Sequence, residues 1–177
     1  MHQTVKNLIN IQSKVKQKLQ ENNSTNQPNI VAVSKTFKLD HIIHLINYGH
    51  THYGENKVQE ALEKWGKVKQ ENNNIKLHLI GKLQTNKVKF AVKMFDYIHS
   101  LDSEKLANKI ASYGNQKIKL FIQVNIGNEE QKSGINKSSL TQFYSYCKTI
   151  DLNVVGLMCI PPLEKPPDNF FKEMSTL

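Results

Sequence analysis

Six times in succession, a short apolar run of strand length gives way to a stretch whose apolar residues recur every three or four positions. The runs are "IVAVS", "HTHYGE", "IKLHLIG", "YIHSL", "KIKLFIQVNI" and "LNVVGLMCI". Between them lie helical patterns. Residues 39–49 end at Gly49, and residues 56–70 carry Val58, Ala61, Leu62, Trp65 and Val68 on one stripe. Residues 85–95 carry Val88, Ala91, Val92 and Phe95, and a helix with Leu106, Ala107 and Ile110 stops at Gly114. A further helix holds Leu140, Phe143, Cys147 and Ile150, and the last, in "DNFFKEMSTL", holds Phe171, Met174 and Leu177. Asp40 and Asp102 are expected helix caps. A leading helix over 5–19 is followed by the polar break "ENNSTNQPN". Such βα alternation demands a parallel sheet covered by helices. The pattern alone leaves a closed barrel and an open doubly wound sheet as alternatives. The nearly continuous apolar run "IVAVS" is expected to be a strand covered on both faces.

Composition narrows the function classes. With 38% hydrophobic and 22% charged residues in 177, the chain reads as globular and soluble. No run reaches the 18 or so apolar residues of a membrane span, and the N-terminus has no apolar core of a signal peptide. The formal charge of +9 is carried by lysine alone, since the sequence contains no arginine. Those lysines are dispersed, without a basic block or interleaved aromatics, so the surface reads as generally basic rather than as a specific nucleic-acid reader. Cys147 and Cys159 are expected to be buried free thiols, and the cytoplasm is the expected compartment.

Parallel α/β folds gather binding groups at the C-terminal ends of their strands. There the sequence places Ser34-Lys35-Thr36, "YGENKVQE", "HLIGKLQTNK", His99-Ser100, Asn125 with "NEEQKSG", and Met158 before a proline pair. A lysine at a strand end, flanked by buried residues, is expected to be partly desolvated. Desolvation favours the neutral amine, which can condense with an aldehyde. Position alone also allows an ordinary surface lysine just past the strand. His41, His44, His50 and His52 match no zinc spacing and are expected in surface or capping roles, while His78 reads as a satisfied core histidine. Asn-Lys pairs at 56–57 and 86–87 are candidate helix caps, and Gly54 and Gly81 allow tight turns or close approach of a flat ligand. Dinucleotide, P-loop and serine-hydrolase motifs are absent.

Taken in order, "VAVSKT", "HYGENKVQE", "HLIGKLQTNK", "IHSLD", "QVNI…QKSG" and "VVGLMCIPP" resemble the pyridoxal phosphate homeostasis proteins, relatives in fold of the N-terminal barrel domain of alanine racemase. The resemblance runs from the first strand to the last residue. It implies a single TIM-type (β/α)8 barrel over 1–177, truncated here to about six βα units and incomplete at its C-terminal end. It also implies pyridoxal 5′-phosphate held as a Schiff base on Lys35. Asn56 matches the asparagine of the "GEN" block near the cofactor, and Ile80 and Met158 match apolar positions beside the ring. Lys132, of the "KSG" block, is a candidate for a second aldehyde or phosphate contact, against the reading of a flexible loop lysine.

The family's "S-x-G-M-S" loop and "G-S-T-x-V-R-I-G" strand, which supply the phosphate cradle and an arginine beside the pyridine nitrogen, are not found in this sequence. Weaker cofactor binding than in a complete member is therefore expected. The resemblance implies a non-enzymatic, cytoplasmic role in cofactor homeostasis, with a small-molecule partner, no specific nucleic acid or membrane, and a monomeric state. The alternatives are a fold-type III racemase or decarboxylase, which needs a second placed acid–base group, and an inactive remnant.

Overall fold

In the computed structural model, which describes residues 1–114 and 117–177, every expected strand pairs with the next. The elements run α1 (Gln3–Glu21), β1 (Ala32–Val33), α2 (Leu39–Asn47), β2 (His52–Glu55), α3 (Val58–Glu71), β3 (Lys76–Leu79), α4 (Val88–Met94), β4 (Tyr97–Leu101), α5 (Glu104–Ala111), β5 (Lys119–Gln123), α6 (Leu140–Thr149), β6 (Val154–Met158) and α7 (Pro167–Met174). The six strands form one sheet in the order β1-β2-β3-β4-β5-β6, and all pairs are parallel. A doubly wound sheet reverses its strand order at a switch point. This order never reverses, so right-handed crossovers place successive helices on one face. The fold is α/β of the TIM-barrel type, with six βα units among the described residues.

The pleat sorts the side chains. Tyr53, Leu77, Leu79, Ile98, Leu120 and Ile122 face the helices and are fully buried. They pack with Ala61 and Trp65 of α3, Val88 and Ala91 of α4, Leu106, Ala107 and Ile110 of α5, and Phe143 and Cys147 of α6. These are the residues of the apolar stripes, which is why the helices form where periodicity places them. The other face carries His52, Gly54, His78, Tyr97, His99, Phe121 and Gln123.

Several local expectations are corrected. The first strand is only two residues long, and Val33 on its inner face is 48% exposed rather than covered. Asp40 lies within the first turn of α2, whose N-cap is Lys38 without a side-chain bond. Ser103, not Asp102, caps α5 by accepting from the Leu106 N–H. Lys57 occupies the N-cap of α3, so Asn56 is left to face elsewhere. Gly49 follows the end of α2 at φ +94, as a helix stop does. Cys147 is buried and Cys159, just past β6, is half-buried. No helix among the described residues is long and apolar enough to cross a membrane.

Candidate functional site

The C-terminal ends of the strands enclose a groove of about 530 Å³. Lys35 follows β1, Asn56 follows β2, Ile80 follows β3 and Met158 ends β6, and all four line this groove together with Gly81, Lys82, His99, Asn125 and Lys132. Four residues separated by as many as 123 positions (158 − 35) thus meet because their strands are parallel and their tips lie on one rim. The volume falls within the range of small-molecule and cofactor sites, roughly 300–1,000 Å³.

Lys35 reaches the groove by parity. Ala32 pairs with Tyr53 and faces the helices, whereas Val33 pairs with Gly54 on the inner face. Alternation returns Ser34 to the helix side and Lys35 to the inner side. Lys35 is exposed rather than desolvated, because the inner face beside β1 is open. Its backbone is nonetheless firmly held. The Ser34 N–H donates to the Gly54 carbonyl at 2.9 Å, and Ser34 Oγ donates to Glu55 Oε1 at 2.7 Å. Glu55 is fully buried, and the same oxygen accepts from Lys64 Nζ and from the Trp65 indole, each at 2.9 Å. Lys64 Nζ also donates to the Ser34 carbonyl at 2.7 Å. The next residue, Thr36, takes φ +67, a left-handed conformation that is costly for a β-branched side chain.

The floor between β2 and β3 depends on Gly81. A Cβ there would lie 2.3 Å from the Asn56 carbonyl oxygen. The missing side chain therefore lets two backbone loops touch, and Asn56 and Ile80 become neighbours on the rim. Gly54 plays a milder part, since its Cβ would meet Ile80 Cδ1 at 3.1 Å.

On the far side, the loop after β5 folds back along its own strand. Val124 bridges Ile135, Gln123 Nε2 donates to the Ser133 carbonyl at 3.1 Å, and Asn125 exchanges two bonds with the Glu129 backbone. Gly134, at φ +122, is required because a Cβ would stand 2.6 Å from the Asn125 nitrogen. Lys132 is consequently not a loose loop lysine. Its Nζ pairs with Glu129 at 2.7 Å and donates to the Pro161 carbonyl at 3.3 Å.

Three histidines were not joined by sequence reasoning. His52 on β2, His78 on β3 and His99 on β4 are linked on the inner face, His52 Nδ1 to His78 Nε2 at 2.9 Å and His78 Nδ1 to His99 Nε2 at 2.9 Å. Burial lowers His78 to about 3, helped by the neighbouring His99 and His52, and burial lowers His99 to about 4. His78 is thus satisfied, as expected of a core histidine, while His52 belongs to the sheet rather than to a cap. The separations of 26 and 21 residues are one βα unit each, which is the signal that could have joined them. Among the described residues, no group of three or more His, Cys, Asp or Glu side chains could hold a metal ion.

The residues suit an aldehyde-bearing, anionic aromatic cofactor. They supply a primary amine on a fixed backbone, apolar Ile80 and Met158 for a ring, and the Lys82 charge for an anion, while Lys132 is already paired with Glu129. Fold and groove together define an α/β barrel-type domain with an amine-bearing site at its strand ends. The comparisons make the class specific. Residues 7–176 match the family model described as the alanine racemase N-terminal domain. The pyridoxal phosphate homeostasis protein of Aquifex aeolicus is 37% identical over 155 residues, 84% of this chain and 67% of that protein. The protein of the same name from Haemophilus influenzae is 33% identical over 172 residues, 94% of this chain and 71% of that one. The structure of PipY from Synechococcus elongatus with pyridoxal phosphate bound superposes with a TM-score of 0.74 at 31% identity, covering 90% of this chain and 78% of PipY. The chain belongs to the pyridoxal phosphate homeostasis protein family.

Proposed function

We propose that the chain binds pyridoxal 5′-phosphate in the groove at its strand ends, through a Schiff base between the aldehyde and Lys35 Nζ. Asn56 contacts the cofactor from the rim of β2, and Ile80 and Met158 flank the ring. Residues 1–177 act in this reading as one barrel-type domain, monomeric and cytoplasmic, that takes up and hands on the cofactor without turnover. The observation that carries the reading is the convergence of Lys35, Asn56, Ile80 and Met158, from four different strands, on one groove. The relatives' names, and the bound cofactor in the PipY structure, support the same ligand. A role without turnover rests on those names.

The test is to add pyridoxal phosphate, reduce with borohydride and map the modified lysine by mass spectrometry. The expected result is label confined to Lys35 and lost in Lys35→Ala. Label scattered over many of the lysines would overturn the assignment.

A further inference from the structure

The inner face of the sheet carries an arrangement that cofactor binding alone does not require. His52, His78 and His99 come from three adjacent strands, and each successive pair is joined by a ring-nitrogen bond of 2.9 Å. Both nitrogens of His78 are engaged, and His78 is 4% exposed. The chain has two ends in two different clefts. His52 lines a cleft of about 460 Å³ between α1 and the N-terminal ends of β2 and its neighbours, and His99 lines the Lys35 groove. The rings are held by stacking: His78 lies on Tyr97 at 4.2 Å and 4°, and His99 on Phe121 at 4.4 Å and 21°.

We propose that His52, His78 and His99 form a proton path between the cleft beneath the sheet and the groove that Lys35 lines. A neutral imidazole has one N–H and one bare nitrogen. Since both nitrogens of His78 face other histidines, two neutral arrangements satisfy both bonds: every ring donates toward His99, or every ring donates toward His52. Passage of one proton converts the first into the second. A proton arriving on His52 Nε2 moves the Nδ1 hydrogen to His78 Nε2. The Nδ1 hydrogen of His78 then moves to His99 Nε2, and one proton leaves from His99 Nδ1. Each ring gains one proton and loses one, and the reverse passage restores the start.

The surroundings keep the chain neutral. Burial disfavours the cation on all three rings. Lys76 and Lys119 act on His52, and Lys69 on His78, in the same sense, and Asp96 opposes them on both. Tyr97, which accepts from Lys119 Nζ at 3.3 Å, also lies against the rings, and His50 stands beside His52 in the cleft, its Nε2 bonded to the His52 carbonyl at 2.9 Å. A path that stores no charge can carry a proton in either direction.

The use of the path rests on the proposed function, whereas its existence does not. Lys35 Nζ carries a proton in its ammonium form, and that proton must leave before the nitrogen can bond a carbonyl carbon. His99 Nδ1 is the path's acceptor in the groove, and His52 Nε2 discharges the proton into the opposite cleft.

Nitrogen-15 NMR of the ring nitrogens in the full chain at neutral pH tests the path without any cofactor. Three neutral rings of one tautomeric sense are expected; a charged ring, or rings of opposed sense, would overturn it. His78→Gln tests the use, because an amide can donate and accept but does not relay a proton. Transfer of pyridoxal phosphate from the protein to a free primary amine should slow about a hundredfold, the low end for positioned proton transfer, with the Lys35 label retained. Equal rates would overturn the relay. If the wild-type chain takes no label at Lys35, the cofactor reading fails, and the tautomer measurement alone decides the path.

Discussion

Ser34 Oγ donates to Glu55 Oε1 at 2.7 Å, tying the backbone just before Lys35 to the end of β2. The bond belongs to a buried knot. Glu55 is fully buried, Lys64 completes an ion pair at 2.9 Å, and the Trp65 indole adds a third donor to the same oxygen. The knot lies on the helix side of the sheet and the groove on the other, so it fixes the Lys35 backbone without entering the groove. Removing Glu55 strips the buried Trp65 indole of its acceptor and leaves the Lys64 charge with only the Ser34 carbonyl. Glu55→Ala should therefore cost roughly 3–5 kcal/mol, measured by urea unfolding. A cost below about 1 kcal/mol, the scale of an exposed ion pair, would show that the knot is dispensable.

Gly81 sets the spacing of the rim. Because its Cβ would stand 2.3 Å from the Asn56 carbonyl oxygen, a backbone atom that cannot rotate away, Gly81→Ala must push the two loops apart. The expected cost is about 1–3 kcal/mol, with weaker pyridoxal phosphate binding because Asn56 and Ile80 shift together. Unfolding and a cofactor titration of the same variant check both effects. An unchanged midpoint would mean that the loops separate freely.

Thr36 stores strain beside Lys35. At φ +67 a β-branched residue pays a conformational penalty that glycine does not, against which glycine loses more freedom on folding. Thr36→Gly should leave the chain more stable by up to about 1 kcal/mol, read from the urea midpoint. A clear loss of stability would show that the threonine side chain contributes more than its backbone costs.

The outward half of the fold was legible and the inward half was not, for one physical reason. Helix residues that face the sheet, such as Trp65, Val88, Ala91 and Ile110, are apolar at helical spacing, so periodicity announces them. The inner face holds His52, His78, Tyr97, His99 and Phe121, polar and aromatic residues that match neither a solvated nor a greasy strand face. Their relationships follow from cross-strand register, which no single segment encodes. The short β1 misled in the same way. "IVAVS" reads as a covered strand, yet only Ala32–Val33 pair and one face is open, which is why Lys35 is exposed. The rim residues Lys35, Asn56, Ile80 and Met158 were legible because the ends of parallel strands must share a rim whatever the register within them.

The neutral histidines make stability depend on pH. His78 is held at about 3 and His99 at about 4, both below the ordinary value of 6.5 that the unfolded chain restores. The unfolded state therefore binds protons that the folded state refuses, and stability rises with pH through that interval. The stabilisation is complete above about pH 6.5 and is lost as pH falls toward 4 and then 3. The urea midpoint should stay level down to about pH 6.5 and decline below it. His78→Gln removes one of the titrating rings, so its midpoint should decline less steeply over the same interval, whatever its absolute stability. The difference in slope is the decisive quantity, because carboxylates that protonate at lower pH are shared by both proteins and cancel. Equal slopes would mean that His78 takes up its proton in the folded state, where a ring with two N–H groups donates to both neighbours and His52 Nδ1 and His99 Nε2 accept only as tautomers of opposed sense.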